Sequence, residues 1–128
     1  MPVDANNVLT KAFDFAVRVV KLYQYLTKQK KEYVLSKQLL RSGTSIGANI
    51  NEAQAGQSKA DFVAKMCIAS KESRESRYWL ALLCSTGYLD INRPQVLSLV
   101  NQNDELIKIL TAIVKTSQSK IKHSKLNT

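Results

Sequence analysis

The sequence predicts an all-α fold, an antiparallel up-down-up-down four-helix bundle, and three observations carry that prediction. Apolar residues recur at spacings of three and four along four long segments. Helix breakers are scarce, and Gly56, Gly87 and Pro94 fall where segments join. The connections are short, which sets neighbouring helices antiparallel. No alternating strand pattern competes. At 128 residues the chain is expected to form a single domain, residues 1–128.

The first helix is expected over about 7–28, where Leu9, Phe13, Ala16, Val20, Tyr23 and Leu26 form a stripe. Ala12, Val19 and Leu22 widen it. "TKQKKE" is a polar connection, and the second helix starts somewhere between Glu32 and Ser36, over about 34–55. It carries Leu39, Leu40, Ile46, Ile50 and Ala53 and is expected to end at Gly56 as a left-handed cap. "SKAD" resembles a capping box before a third helix over about 59–86, ended by Gly87. "NRPQ" offers Asn92 as cap and Pro94 in the first turn of a fourth, over about 93–122.

Residue types narrow the chemistry. His123 is the only histidine, so zinc-finger spacing, a di-iron Glu-x-x-His pattern and a Ser-His or Cys-His pair are all missing. Cys67 and Cys84, on one helix, would lie roughly 25 Å apart, far beyond disulfide reach. No phosphate-cradling glycine loop is present. Neither a metal nor a cofactor is expected, and a catalytic role is not. The longest apolar run, Tyr78–Cys84, is far short of a membrane span. Asp4, Asn6 and Asn7 stand where a signal peptide would be basic then apolar, so a cytoplasmic location is the expectation.

Two stretches stand out. In "SGTSIGANINEA" (residues 42–53), Gly43 and Gly47 fall on one side of the helix, a spacing that lets two backbones approach closely. Each glycine costs about 1 kcal/mol in helix propensity, so a close contact is the expected compensation. Ser45, Asn49 and Glu52 form a polar stripe one turn beyond Arg41, either facing solvent or joined in a semi-buried network or subunit contact. In "KESRESRYWL", Glu72, Glu75 and Trp79 share a face flanked by Arg74 and Arg77. Ion pairs along that helix are the expectation there, in preference to acid–base work by paired carboxylates. Trp79, in its apolar context, is expected in the core or at an interface.

These same stretches, "QLLRSGTSIGANINEA" (Gln38–Ala53) and "DFVAKMCIASKESRESRYWLALL" (Asp61–Leu83), resemble the four-helix-bundle proteins encoded in intervening sequences of bacterial 23S ribosomal RNA genes. "KAFDFAVRVVKLYQYL" (Lys11–Leu26) fits that family's first helix, so the resemblance covers roughly residues 8–90. Its most specific part is Ser45, Ile46, Asn49, Ile50 and Glu52. Ala53, where many relatives carry glycine, and Gly56 depart from the pattern without touching the fold. The resemblance implies a homopentamer and no known enzymatic activity. A related accessory protein of diversity-generating retroelements is a basic pentamer that works with a reverse transcriptase and nucleic acid. Most members are free-standing bacterial genes of unknown role.

Charge supplies the remaining clue. The net charge is +9, and no acidic residue follows Glu105. Lys115, Lys120, Lys122 and Lys125 form one basic run, while Lys28, Lys30 and Lys31, continued by Lys37 and Arg41, form another. The first connection and the C-terminus fall at opposite ends of such a bundle, so each chain has two basic ends. Lysines at helix ends also complement the helix dipole and favour solubility. In a ring, each end would multiply into a belt suited to a phosphate backbone. RNA or DNA held through charge is thus one expected partner besides other copies of the chain. A protein partner on a pentameric scaffold is the alternative, and no membrane is expected.

Overall fold

The computed structural model describes residues 3–126, with side chains over 7–123. Four helices follow in order: α1 (Val3–Lys28), α2 (Leu35–Gln54), α3 (Lys59–Ser85) and α4 (Pro94–Leu126). No strand occurs among the described residues. α1 packs on α2, α2 on α3 and α3 on α4, and a looser α1–α4 seam closes the ring. Cross-helix pairs run in opposite senses, Arg41 with Glu72 but Glu52 with Lys65, and Arg77 with Asp104 but Cys67 with Gln118. This is the antiparallel four-helix bundle that the periodicity predicts.

Val8, Ala12, Phe15 and Val19 from α1 meet Leu39, Ile46 and Ile50 from α2, Met66, Ala69, Leu80 and Leu83 from α3, and Leu106 and Leu110 from α4. All are removed from water, at about 25 cal/mol per Å² of apolar surface. α1 departs from expectation. Its core stripe is Val8, Ala12, Phe15, Val19 and Leu26, whereas Phe13 is 65% exposed and Val17 and Val20 face solvent. The helix carries two overlapping apolar stripes, and periodicity alone does not choose between them.

Gly43 explains the close approach of α1 and α2. A β-carbon there would lie 3.0 Å from both methyls of buried Val19. At Gly47 it would lie 3.6 Å from the Ala12 β-carbon, an ordinary contact. The glycine pair is therefore asymmetric, with only Gly43 set by steric need.

The helix ends correct two expectations. α2 stops at Ala55, in a near-helical conformation, and Gly56 does not adopt the left-handed cap; its N–H donates to the Ala53 carbonyl instead. α4 is entered through Arg93, whose carbonyl accepts from Val96 and Leu97, so Asn92 is not the cap. The Asn92 N–H donates to the Asp90 carboxylate in the preceding turn. The start of α2 is fixed by Glu32, buried and three residues before Leu35, whose carboxylate accepts from the N–H groups of Val34, Leu35 and Ser36. Burial pushes that carboxyl up, but the three backbone donors and the Ser36 hydroxyl outweigh it and hold it below the usual range. Gly87 ends α3 with φ +87°, and the Ser58 hydroxyl accepts from Asp61 N–H at the start of that helix. Lys31 adopts a left-handed φ of 54° in the α1–α2 turn.

α4 outruns α1. Asn7 and Val8 line one hollow with Ile109, Ala112 and Ile113; from that level α1 runs on to Val3, about 6 Å, and α4 to Leu126, about 20 Å, at ~1.5 Å per residue. Arg18 clamps the α1–α4 seam nearer its other end. One guanidinium nitrogen donates to Ser98 Oγ at 3.1 Å and Gln102 Oε1 at 2.8 Å, and the other to the Gln95 carbonyl at 2.9 Å.

Candidate nucleic-acid interface

The bundle places its two basic runs at opposite ends, as up-down topology requires. Lys28, Lys30, Lys31 and Lys37 are exposed around the α1–α2 connection. Lys115, Lys120 and Lys122 are exposed on the part of α4 near its C-terminus, and the Lys125 side chain lies outside the described residues. Arg41 does not join the first group as a free cation. Its guanidinium spans to α3, one nitrogen 2.8 Å from Glu72 Oε2 and the other bonded to Glu75 Oε2.

The polar stripe beyond Arg41 divides between its own helix and α3. Asn49 turns back along α2, its amide donating to the Ser45 carbonyl at 2.8 Å and the Ser45 hydroxyl at 2.9 Å. Glu52 reaches α3 and pairs with Lys65 at 2.9 Å. Ser42 and Ser76 hydroxyls meet at 2.9 Å in the buried seam. The expected intrahelical pairing along α3 gives way to bonds between helices. Arg77 holds Asp104 at 2.9 Å and Arg74 donates to Thr111 Oγ1 at 2.9 Å, both on α4. Side chains of this length reach a neighbouring helix as readily as the next turn of their own.

The Glu72/Glu75 cluster is not poised for acid–base chemistry. The Trp79 indole N–H donates to Glu75 Oε2 at 3.1 Å, and this bond together with Arg41 holds the Glu75 carboxyl below its usual range despite partial burial. Trp79 is half-buried against the core, and Tyr78 meets it edge-on at 5.1 Å. Among the described residues no group of three or more His, Cys, Asp or Glu side chains converges as a metal site. No helix among them is long and apolar enough to cross a membrane.

Two surfaces escape the periodicity. Tyr33 is 57% exposed beside Lys30 and Lys31, a ring free to stack next to a cationic turn. The only cue in the sequence is an aromatic two residues after Lys31, with Glu32 between them. The second is a groove where the α2–α3 connection meets the extended part of α4. It forms only because those segments are brought together in space, so local spacing holds no signal for it.

A crystal structure from Bacteroides thetaiotaomicron, of a protein of unknown function in the S23 ribosomal protein family, is similar to this chain at 50% identity and a TM-score of 0.83. The similarity covers 88% of this chain and 99% of that one. No curated protein matches. The model of the 23S rRNA-intervening sequence protein family matches residues 4–112, which carries the match well into α4 and leaves the lysine-rich end of that helix outside it. With all four helices inside or overlapping that match, the chain belongs to the 23S rRNA-intervening sequence protein family.

Proposed function

We propose that this protein is a non-enzymatic, homo-oligomeric bundle, a pentamer by its family resemblance, that holds RNA or DNA through charge. The observation that carries this reading is the exposure of seven lysines in two clusters, Lys28, Lys30, Lys31 and Lys37 at one end and Lys115, Lys120 and Lys122 at the other. Charge of this kind neutralises phosphates without reading bases, so affinity falls steeply with salt. Repetition of each cluster around a ring would raise the avidity of either end for one polyanion. The site is expected to act in the cytoplasm.

A second reading, a scaffold for a protein partner, draws on a different observation. Phe13, Val17 and Val20 form an exposed apolar stripe on α1 beside the groove containing Gly47 and Ala48. Fluorescence anisotropy with labelled structured RNA at two salt concentrations, with heparin as competitor, separates the two. Binding that survives near-physiological salt and resists heparin supports the nucleic-acid reading. Equal competition by every polyanion, together with a co-purifying polypeptide, supports the scaffold. Native mass spectrometry counts the subunits, and a monomer would overturn the ring.

A further inference from the structure

We infer that the groove at the extended end of α4 seats an unpaired nucleotide of a single-stranded segment, its base among apolar side chains and its phosphates on the flanking lysines. This rests on the charge-driven reading above and gives that reading a defined place. The groove holds about 440 Å³, within the size range of small-ligand sites. Ala53, Phe62, Val63 and Ile121 supply apolar walls, and Lys59 and Lys120 stand on opposite sides, from α3 and α4. No carboxylate is among its lining residues; of the two acids beside it, Glu52 is engaged by Lys65, and Asp61 stands in the first turn of α3 next to Gly56. An apolar cleft between two ammonium groups is complementary to a flat apolar ring bearing a phosphate. Half-buried Phe62 provides an aromatic surface for the base.

A second groove favours a strand over a free small anion. It lies across Val63 and Ile121, which border both hollows, and is lined by Ala60, Ala64 and Lys122. Two adjacent clefts, each with its own lysine, suit successive nucleotides of one chain. Lys120 and Lys122 point to opposite sides of α4 because two helical residues differ by about 200° in azimuth. Every α4 residue in these clefts lies beyond residue 112, outside the family match.

The test compares two labelled RNA hairpins by anisotropy, one blunt and one with a four-nucleotide 3′ overhang, in a buffer near physiological salt. The overhang hairpin is expected to bind at least about tenfold tighter, a preference of the size stacking supplies. Ser117→Phe fills the first groove without changing charge, and should remove the overhang preference while leaving blunt-hairpin affinity unchanged. Lys59→Gln with Lys120→Gln should flatten the salt dependence for the overhang hairpin. Circular dichroism checks that each variant keeps its helix content. Equal affinity for both hairpins overturns the groove assignment and leaves the charge reading standing. No binding to either hairpin overturns both. Competition by an acidic peptide with an apolar anchor, without any overhang preference, overturns the assignment in favour of a protein occupant.

Discussion

α2 presents two contrasting faces. Toward α1 it is smooth and apolar, with Gly43 fitted against Val19 and Gly47 against Ala12. Toward α3 it is polar, with Ser42 on Ser76, Arg41 on Glu72 and Glu75, and Glu52 on Lys65. Small residues serve both faces, for different reasons. Glycine removes a β-carbon so that a branched neighbour fits; serine keeps the separation small while satisfying its own hydroxyl across the seam. Steric fit should therefore govern the first face, and the second should tolerate change more readily, because exposed ion pairs contribute little.

Gly43→Leu should produce the largest effect. A side chain there must displace buried Val19, whose two methyls both stand in the way, so rotation about its χ1 brings no relief. Chemical denaturation should show a loss of about 3 kcal/mol. A loss below that of an ordinary surface change would break the contrast between the faces.

Glu32→Ala acts before either face begins, by removing the carboxylate that caps α2. The expected loss at neutral pH is about 2 kcal/mol. The wild-type carboxyl is held below its unfolded value, so its stabilising contribution is fully present above the unfolded pKa of about 4.3 and disappears as pH falls through the lower folded value. Urea melts of both proteins across pH 7 to 2.5 should therefore converge at the acidic end.

Gly47→Ala sharpens the asymmetry within the apolar face. The new β-carbon makes only ordinary contacts, so improved helix propensity should raise stability by about 0.5–1 kcal/mol. The same direction of change at Gly43 would contradict the steric assignment there.

Arg41→Gln, on the polar face, should cost less than about 1 kcal/mol, since Arg41 is half exposed. Its signature is optical. Trp79 is the only tryptophan and donates to Glu75, so its emission reports protonation of that carboxyl. The acid midpoint of the emission change should rise in the variant, because Arg41 helps hold Glu75 ionised.

Much of the fold is readable from the residues. The helices follow from apolar spacing, Gly87 marks the end of α3, and Gly43 signals a close crossing. What stays hidden is hidden for physical reasons. α1 has apolar residues on more than half of its circumference, so Phe13 and Phe15 are equally eligible for the core until α2 and α4 are in place. Glu32 caps from outside the helix and is not one of the short polar residues that mark helix starts. Arg41, Arg74 and Arg77 choose partners across helices, which no spacing along one helix reveals. At the candidate interface, the lysine runs are legible as composition. The groove between Phe62 and Ile121 is not, since its walls lie far apart in the chain and meet only when α4 packs beside the α2–α3 connection.

The Arg18 clamp has a consequence for α1 as a rotating cylinder. Turning α1 by one residue, about 100°, would bring Phe13 and Val20 inward in place of Phe15 and Val19, a second angular solution that a purely apolar core would scarcely distinguish. Three hydrogen bonds from one guanidinium to α4, together with the notch at Gly43, select a single phase. Phe13, Val17 and Val20 are thereby kept outward as a spare seam, hydrophobic enough to close on another surface and held ready by a polar latch on the far side of the same helix.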